Sequence, residues 1–362
     1  MFEPCFTITG KMARNLMRIE ADRDAVTSLP LTASLLNSLR RTARLLSTHY
    51  STQIEGNLLS PSQVVAVIEG EGNFPGRERD EAEVRNYFAA LTYVESISQT
   101  NTPVTEREIR TIHGLVISGR QKASVWRKQQ NVLRDARSGR IVYLPPEASD
   151  VPGLMKDLVV WINTSLNSSE WPVPVIVAVA HYQFATIHPY LDGNGRTARL
   201  LCSLLLRRNG YGLKGIYSLE EYYSESLPDY YNSLSVGDSH NYYCGRAEAD
   251  ITSFVSYFVE GMAAAFGNVR KKAEAFSKRR ASDQTVSLRD LTPQQRQALG
   301  LFAHRARVSR NEIAVFFKLP ERRAYLLCNR WVKSGFLIAS GTAKKNRLYQ
   351  LADKYQHLFE EI

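Results

Sequence analysis

Twelve consecutive residues, His188 to Arg199, combine a base with a near-neutral pKa, a carboxylate, two glycines and two arginines. They lie between two apolar stretches, Val175–Ile187 and Thr197–Leu206, whose composition predicts helices. A glycine-rich loop that leads into a helix brings backbone amides and the positive end of the helix dipole to one place, where phosphate binds. This stretch therefore predicts a phosphate-binding site at the start of the second helix.

The charged residues of the loop indicate which phosphate compound is bound. Arg196 and Arg199 are three residues apart, so both leave the first helical turn near one face and can bind nucleotide phosphates. Cations at a helix N-terminus oppose the dipole by about 0.3–1 kcal/mol each, which favours a bound anion. Asp192 would repel phosphate unless Mg²⁺ bridges them, and His188 is the only neutral-pH base of the loop. Each residue alone has an ordinary structural explanation, but sterics do not require all four at these offsets.

This stretch closely resembles the Fic motif, His-x-Phe-x-Asp/Glu-Gly-Asn-Gly-Arg-x-x-Arg, the signature of Fic-domain AMP transferases. It departs at Tyr190, where Phe is usual, and at Ala198, where Gly or Ser is often seen, and neither change touches a reacting group. Residues 103–265 as a whole resemble the Fic core. Supporting similarity is found at Trp126-Arg127, Pro145-Pro146, Trp161-Ile162-Asn163 and Tyr230-Tyr231.

The resemblance implies a role for each residue of the motif. His188 takes the proton from a Ser, Thr or Tyr hydroxyl of a protein target as that hydroxyl attacks the α-phosphorus of ATP, and pyrophosphate leaves. Asp192 holds Mg²⁺. The implied nucleotide contacts are the amides of Gly193, Asn194 and Gly195, the guanidinium groups of Arg196 and Arg199 on the β- and γ-phosphates, and Tyr230 and Tyr231 beside adenosine. Core packing explains the tyrosine pair equally well.

A short β-hairpin is predicted before the motif. Gln130–Leu133 and Arg140–Leu144 are strand-like and flank a turn at Asp135–Gly139, and Pro145-Pro146 ends the second strand because proline cannot donate to a ladder. The hairpin resembles the flap that binds the target backbone by strand addition in Fic proteins. The flap residues implied are Val132, Leu133 and Val142.

An upstream segment, Ser51–Asn57, resembles the inhibitory motif of the same family, Ser/Thr-x-x-x-Glu-Gly/Asn. Residues four apart share a helix face, so the Ser51 hydroxyl is expected to steady the Glu55 carboxylate, while Gly56 permits the turn that ends the helix. A carboxylate at a helix C-terminus is unfavourable unless a cation compensates, although the segment alone could be a simple helix end. The resemblance implies that Arg199 is this cation and that Glu55 holds ATP in an unproductive pose. Bifunctional members further imply that Glu55 orients water to remove AMP.

Most of the chain is predicted to be helical, and three-to-four spacing of apolar residues marks Leu31–Tyr50, Asp80–Ile97, Glu106–Ser118 and Val151–Leu166. The predicted fold class is mainly α: a Fic-type helical bundle with a small hairpin flap and a C-terminal winged helix-turn-helix domain. The predicted boundaries are an N-terminal helical region carrying the inhibitory helix at 1–102, the catalytic core at 103–270, a linker or loosely packed helix at 271–290, and the winged helix at 291–362.

The C-terminal quarter carries all of the chain's excess positive charge. From Lys271 onward there are 19 Lys and Arg against 8 Asp and Glu, whereas the whole chain has a net charge of +10. Helices at Pro293–His304, Arg310–Phe317 and Glu321–Ser334, followed by strands at Gly335–Ile338 and Arg347–Leu351, predict a winged helix-turn-helix. Basic residues at Arg322, Arg323, Arg330 and Lys333 on the recognition helix and Lys344, Lys345 and Arg347 on the wing suit DNA phosphates. Protein docking or dimerisation is the alternative for such a domain.

The remaining composition excludes several classes. Four dispersed cysteines without a CxxC pair argue against zinc sites and disulfide frameworks, and no apolar run reaches the roughly 20 residues that a membrane helix needs. The chain has no secretory leader pattern, so a cytoplasmic location is expected.

Three functions remain open. The first is AMP transfer from ATP to a protein hydroxyl, including the enzyme's own. The second is a DNA-binding regulator that senses ATP without chemistry. The third is another Fic reaction such as phosphorylation or phosphocholine transfer, against which the Gly195-Arg196 pair argues, since a bulkier residue tends to replace that glycine in the phosphorylating branch. No motif in the sequence identifies the protein target, a homodimer or the event that releases the inhibition.

Overall fold

The chain forms two compact units. One contains Met1–Leu29 and Ser38–Lys271, and the other contains Pro30–Asn37 and Lys272–Ile362. The computed structural model describes residues 2–29, 31, 33–100, 102–134, 138–237, 239–289, 291–302, 307–340 and 347–356. Within these residues, no helix combines the length and apolar character required to cross a bilayer.

The first unit is mainly helical, and its helix starts follow capping chemistry. The elements up to residue 289 are α1 (Gly10–Ser28), α2 (Ala33–Ile54), α3 (Pro61–Glu69), α4 (Glu78–Ile97), α5 (Glu106–Ser118), β1 (Leu133–Arg134), β2 (Ile141–Tyr143), α6 (Val151–Ser168), α7 (Val173–Ile187), α8 (Asn194–Arg208), α9 (Glu220–Glu225), α10 (Leu227–Leu234) and α11 (Thr252–Arg289). Residues 33–37 of α2 and 272–289 of α11 belong to the second unit. Ser60 with Gln63, and Thr105 with Glu108, form reciprocal capping boxes at α3 and α5. The start of each of these helices is thereby fixed locally.

Helix α7 lies at the centre of the core. Residues 174–184 are all buried, including His181 and Gln183, because this helix is apolar around nearly its whole circumference. It packs against α6 and α8. The loop after α7 is therefore attached at both ends to rigid, buried helices.

The hairpin is shorter than predicted. Strand β1 pairs antiparallel with β2 through Leu133 opposite Tyr143 and Arg134 opposite Ile141. The earlier part of the predicted first strand is not in the ladder because its polar side chains bind nearby loops: Gln130 Nε2 donates to Pro145 O at 2.9 Å, and Asn131 Nδ2 to Tyr190 O at 3.2 Å. Residues 135–137 of the predicted turn lie outside the described residues.

The segment at 271–290, predicted as a linker or a loosely packed helix, is helical in its described part. Helix α11 runs without interruption from Thr252 to Arg289. The basic composition of this segment favoured an exposed linker, but it contains no proline or glycine, so nothing in it ends the helix.

The second unit follows the predicted order of elements closely. It contains α12 (Pro293–Phe302), β3 (Val308–Ser309), α13 (Arg310–Phe316), α14 (Glu321–Lys333), β4 (Leu337–Ser340), β5 (Leu348–Leu351) and α15 (Asp353–Gln356). The strands form an antiparallel sheet in the order β3-β5-β4, and Trp331 packs edge-on against Phe317 and Phe336 in its core. The sequence pattern did not predict β3 or α15. The winged-helix assignment stays a prediction, and Lys344 and Lys345 lie outside the described residues.

Candidate active site

The loop between α7 and α8 holds two residues in the left-handed region. His188 ends α7 with φ 50°, and Gly193 precedes α8 with φ 76°. Glycine adopts this conformation freely, whereas for a histidine it costs about 1–2 kcal/mol. Arg127 holds the strained residue in place, because its Nε donates to the His188 carbonyl at 2.9 Å.

Asn194 closes the loop with its side chain. Its Oδ1 accepts from Tyr190 N at 3.0 Å, and its Nδ2 donates to Tyr190 O at 2.8 Å. Both polar atoms of the amide group therefore hold the loop closed. Asp192 Oδ1 accepts from Gly193 N at 2.6 Å, so this carboxylate occupies one of the amides predicted to bind phosphate.

The start of α8 provides the remaining amides. Residues 194–196 are the first of the helix, and amides in a first turn have no intrahelical acceptor. Gly195 lies next to Glu55, the residue that follows α2: a Cβ at this position would overlap the Glu55 carboxylate and lie 3.2 Å from Nη1 of Arg199. Because Gly195 has no side chain, the Glu55 carboxylate fits between the start of α8 and this arginine.

Arg199 is nearly inaccessible to solvent, with 2% exposure, and three contacts attach it to α2. Its Nε donates to Ser51 Oγ at 2.8 Å, and its Nη2 donates to Ser51 O at 2.8 Å and to Glu55 Oε1 at 2.9 Å. Burial opposes its charge, but the Glu55 carboxylate raises the pKa of Arg199, so the guanidinium is charged. Its Nη1 is buried and makes no hydrogen bond to any described residue. An additional acceptor is therefore needed on that side.

The structure brings Ser51, Glu55 and Arg199 together as predicted but changes one contact. The Ser51 hydroxyl accepts from Arg199 and does not bind the Glu55 carboxylate. The charged guanidinium makes this a strong hydrogen bond. Ser51 consequently positions the arginine, and the arginine in turn binds Glu55.

Arg196 lies on the other side of the helix start, almost fully buried. Its Nη2 donates to Asp192 Oδ1 at 3.0 Å, and its Nη1 lies 3.7 Å from Oε1 of Glu83 on α4. No sequence motif marked Glu83. Together the two carboxylates balance the charge of Arg196 when no phosphate is bound.

His188 is suited to accept a proton. Its Nδ1 lies 3.4 Å from the Ala185 carbonyl, which can only accept, so Nδ1 carries the hydrogen and Nε2 the lone pair. Burial lowers the pKa of His188 to about 4, outweighing the opposite effects of Ala185 and Glu55. The imidazole is therefore neutral at physiological pH.

A second histidine, His113 on α5, supports the loop from beneath and was not predicted. Its ring stacks on Tyr190 with the centroids 3.4 Å apart, and its Nε2 donates to Asp192 O at 2.9 Å. Nδ1 lies 2.8 Å from Ser124 Oγ, and burial lowers the pKa of His113 to about 4. The apolar spacing around His113 indicated only that the residue faces the core. His113 is also too far along the chain from His188 for a sequence motif to link the two.

The tyrosine pair is split between core and surface. Tyr230 is 3% exposed, stacks on Tyr223, and its hydroxyl lies 3.0 Å from Nε2 of His181. Tyr230 is therefore a core residue here, in contrast to the predicted adenosine contact. Tyr231 is 48% exposed, and its hydroxyl donates to Ile54 O at 3.2 Å, at the end of α2.

The hairpin residues have different exposure. Val142 on β2 is 42% exposed, whereas Val132 and Leu133 are partly buried. Arg127 joins the base of the hairpin to the loop: its Nη1 donates to Gln129 O at 3.2 Å and its Nη2 to Pro146 O. The hairpin and His188 are thus held by one side chain.

Asp192 fits a metal that is shared with a ligand. Its side chain is 62% exposed, and its Oδ2 accepts no hydrogen bond from the described residues. Within the described part of the chain, no group of three or more His, Cys, Asp or Glu residues could hold a metal ion. Mg²⁺ typically binds one or two carboxylates and substrate phosphates, which this single carboxylate suits.

Comparison with known sequences identifies the domain around this loop. Residues 103–206 match the Fic/DOC family. Protein adenylyltransferase Fic of Drosophila virilis is 30% identical over 201 residues, which are 55% of this chain and 40% of that protein. The Drosophila persimilis protein of the same name is 29% identical over 55% of this chain and 38% of its own length. The chain thus spans less than half of these relatives.

Solved structures show the same likeness over more of the chain. A Fic family protein from Desulfovibrio desulfuricans G20 aligns over 97% of this chain and 99% of its own, with a TM-score of 0.67 and 26% identity. Fic-1 from C. elegans aligns over 73% of each chain with a TM-score of 0.58 and 25% identity. Together with the site geometry, these matches show that residues 103–206 are a Fic domain of the Fic/DOC family.

Proposed function

We propose that this protein transfers AMP from ATP to a hydroxyl group of a protein and that its own Glu55 restrains the reaction. The observation that carries the proposal is the position of the neutral His188 imidazole in the same loop as the α8 amides and Asp192, next to an arginine occupied by Glu55. The names of the curated relatives, which are adenylyltransferases, support AMP as the transferred group.

The reaction needs one base and one site for the leaving group. The target hydroxyl attacks the α-phosphorus and gives its proton to Nε2 of His188, while the bond from the α-phosphorus to the bridging oxygen breaks and pyrophosphate leaves. The products are a phosphodiester between the target and AMP, and pyrophosphate. Mg²⁺ held by Asp192 and phosphate oxygens would neutralise charge on the leaving group.

The phosphate contacts follow from the unused donors. The backbone amides at the start of α8 face the space beside Gly195, and Nη1 of Arg199 is a buried donor that lacks a partner in the described residues. Such a donor costs about 1–3 kcal/mol when it is left unsatisfied, so a terminal phosphate oxygen in that position is favourable. With ATP bound, Arg196 would exchange its contacts to Asp192 and Glu83 for phosphate oxygens, which would leave the Asp192 carboxylate to hold the metal.

The restraint is electrostatic and steric. Glu55 occupies Nη2 of Arg199 and extends over Gly195, so a terminal phosphate must either displace the carboxylate or bind elsewhere. Two anions cannot share one cation at this distance without repulsion. When the carboxylate is displaced from Arg199, it is able to orient a water molecule toward the phosphorus of an AMP-modified target. Hydrolysis would then release AMP and restore the target hydroxyl.

The deciding experiment follows the label from α-labelled and γ-labelled ATP with Mg²⁺ into protein, for wild type, Glu55→Gly and His188→Ala. Label from the α position that increases in Glu55→Gly and disappears in His188→Ala supports the proposal. Label from the γ position alone would replace it with phosphorylation. Tight ATP binding without label from either position would replace it with an ATP-sensing regulator.

A further inference from the structure

We propose that the second unit binds double-stranded DNA through the outer face of α14. This inference is independent of the transferase reaction and concerns a part of the chain that the Fic domain does not include. It rests on the arrangement of charge, exposed apolar side chains and core packing along this one helix.

Helix α14 has two distinct faces. Ala324, Leu327, Cys328 and Trp331 are buried against the unit's core. On the opposite side, exposed side chains at positions i, i+4, i+8 and i+11 form one stripe. The stripe consists of Arg322, Leu326, Arg330 and Lys333, and it extends over about 16 Å at 1.5 Å per residue.

The cations of this face are not neutralised by acids on the same helix. The only acidic residue of α14 is Glu321, and it lies 3.3 Å from Arg310. No ion pair is found for Arg322, Arg323 or Arg330 among the described residues. Solvated helix faces usually alternate charges of both signs, whereas a surface with one sign attracts a polyanion. Residues 291–362 as a whole hold 13 Lys and Arg against 5 Asp and Glu.

Two apolar side chains are exposed among these cations. Leu326 is 56% exposed and Tyr325 is 47% exposed, although the core beneath them is fully packed. A duplex major groove offers thymine methyl groups to such side chains and phosphates on both sides to arginines. A helix with this width of exposed face fits the groove, which is about 12 Å wide.

The helix is anchored firmly enough to act as a rigid probe. Trp331 contacts both Phe317 and Phe336, with ring centroids 5.7 and 5.3 Å apart, and the first turn begins at Pro320. Antiparallel strands β4 and β5 follow it directly. This order places a hairpin next to the helix, as in winged-helix proteins that bind duplex DNA.

A second copy of the chain is a less suitable occupant of this face. A two-fold contact through α14 would bring its arginines and lysine against the same residues of the copy, because the same patch meets itself in such an interface. Like charges at close range are repulsive, and no acidic stripe on α14 compensates for them. Duplex DNA satisfies both the charge and the apolar residues.

The test measures binding of the full-length protein to a fluorescein-labelled 30-base-pair duplex of mixed sequence, by fluorescence anisotropy from 50 to 200 mM KCl. The variant is Arg322→Ala with Arg330→Ala, which removes two cations of the stripe. The matched control is Arg120→Ala with Lys156→Ala, which removes two exposed cations from the first unit and leaves the same net charge. Thermal unfolding confirms that both variants are folded.

We expect wild type and control to bind the duplex alike, and more tightly than single-stranded DNA of the same length. In the α14 variant, the slope of log K against log salt decreases in magnitude by about 0.9 for each phosphate that is no longer neutralised, or about 1.8 for the pair. The proposal is overturned if wild type does not bind the duplex, or if the affinity of the control falls as much as that of the variant. It is also overturned if sedimentation shows a dimer that only the α14 variant dissociates, with no bound duplex.

Discussion

Glu55 and Arg199 are 144 residues apart in the chain, and their side chains meet at 2.9 Å beside the first turn of α8. The carboxylate comes from the C-terminal end of α2, where the dipole disfavours it, and the guanidinium comes from the second turn of α8, where it is buried. Glu55 therefore compensates for the burial of the Arg199 charge, and Arg199 compensates for the position of Glu55 at a helix end. Removal of Glu55 would leave a cation that can bind another anion, and removal of Arg199 would leave a carboxylate without its cation.

Replacement of Glu55 by glycine should increase AMP transfer. Removal of a charged hydrogen bond worth about 1.5–3 kcal/mol frees Arg199 for phosphate, so the initial rate should rise roughly 10- to 100-fold. The measurement is incorporation of α-label into protein at saturating ATP. Glu71→Gly, at an exposed position away from the site, serves as the control and should leave the rate unchanged. An unchanged rate in Glu55→Gly with normal ATP affinity would contradict the proposed restraint.

Activity should be insensitive to mild acid. Since burial lowers the pKa of His188 to about 4, the imidazole remains neutral at pH 5.5, where a histidine with its ordinary pKa of about 6.5 would be roughly 90% protonated. In the Glu55→Gly background, kcat/KM should be nearly equal at pH 7 and pH 5.5, and His188→Ala should lower it by about 10²- to 10⁴-fold. A tenfold decrease between these two pH values would show that the base titrates normally.

Stability, in contrast, should fall with acid. Burial lowers the pKa of His181 to about 3 and that of His113 to about 4, below the value of about 6.5 in an unfolded chain. The unfolded state therefore binds more protons between these values, so stability is present above pH 6.5 and decreases as the pH falls toward the folded values. Urea unfolding at pH 7, 6 and 5 should show this decrease.

A substitution at the buried core histidine isolates its share of this effect. In His181→Gln the free energy of unfolding should depend less on pH, by up to about 1.4 kcal/mol per pH unit, because one titrating group is removed. The comparison is the slope against pH and not the absolute stability, since removal of the hydrogen bonds to Tyr230 and Cys202 lowers the latter at every pH. Parallel slopes for the two proteins would refute the assignment of a low pKa.

Gly114 on α5 should not tolerate a side chain. A Cβ at this position would overlap the backbone carbonyl of Lys122, so Gly114→Ala should lower the free energy of unfolding by about 1–3 kcal/mol. Gly153 on α6 provides a matched control, because a Cβ there meets nothing within 4 Å. Gly153→Ala should therefore stabilise the protein by about 0.4–1 kcal/mol. Equal effects in urea unfolding would indicate that the segment at Lys122 moves away freely.

The sequence pattern was informative where the chemistry is local. The segment from His188 to Arg199 joins the apolar helix α7 to the first turns of α8, so its position followed from the residues themselves. Glu83 and His113 were missed because they reach the loop from α4 and α5, and no spacing within one segment encodes the packing of separate helices.

The tyrosine pair illustrates a second limit. Tyr230 and Tyr231 are adjacent on a helix and point about 100° apart, so one can be buried while the other is exposed. The sequence alone does not say which one faces the core. The polar residues before β1 are similar: Gln130 and Asn131 fit a strand by pattern, but their side chains bind carbonyls of neighbouring loops instead.

The contacts of Arg127 bear on which hydroxyl of a target would react. One guanidinium binds both the carbonyl of the strained His188 and that of Pro146 at the foot of the hairpin. A peptide that pairs with the hairpin edge would therefore lie at a fixed distance from the His188 imidazole, because Arg127 connects the hairpin to His188. The hydroxyl that reacts would then be chosen by its residue offset from the paired strand, and the local sequence around it would matter less than its register.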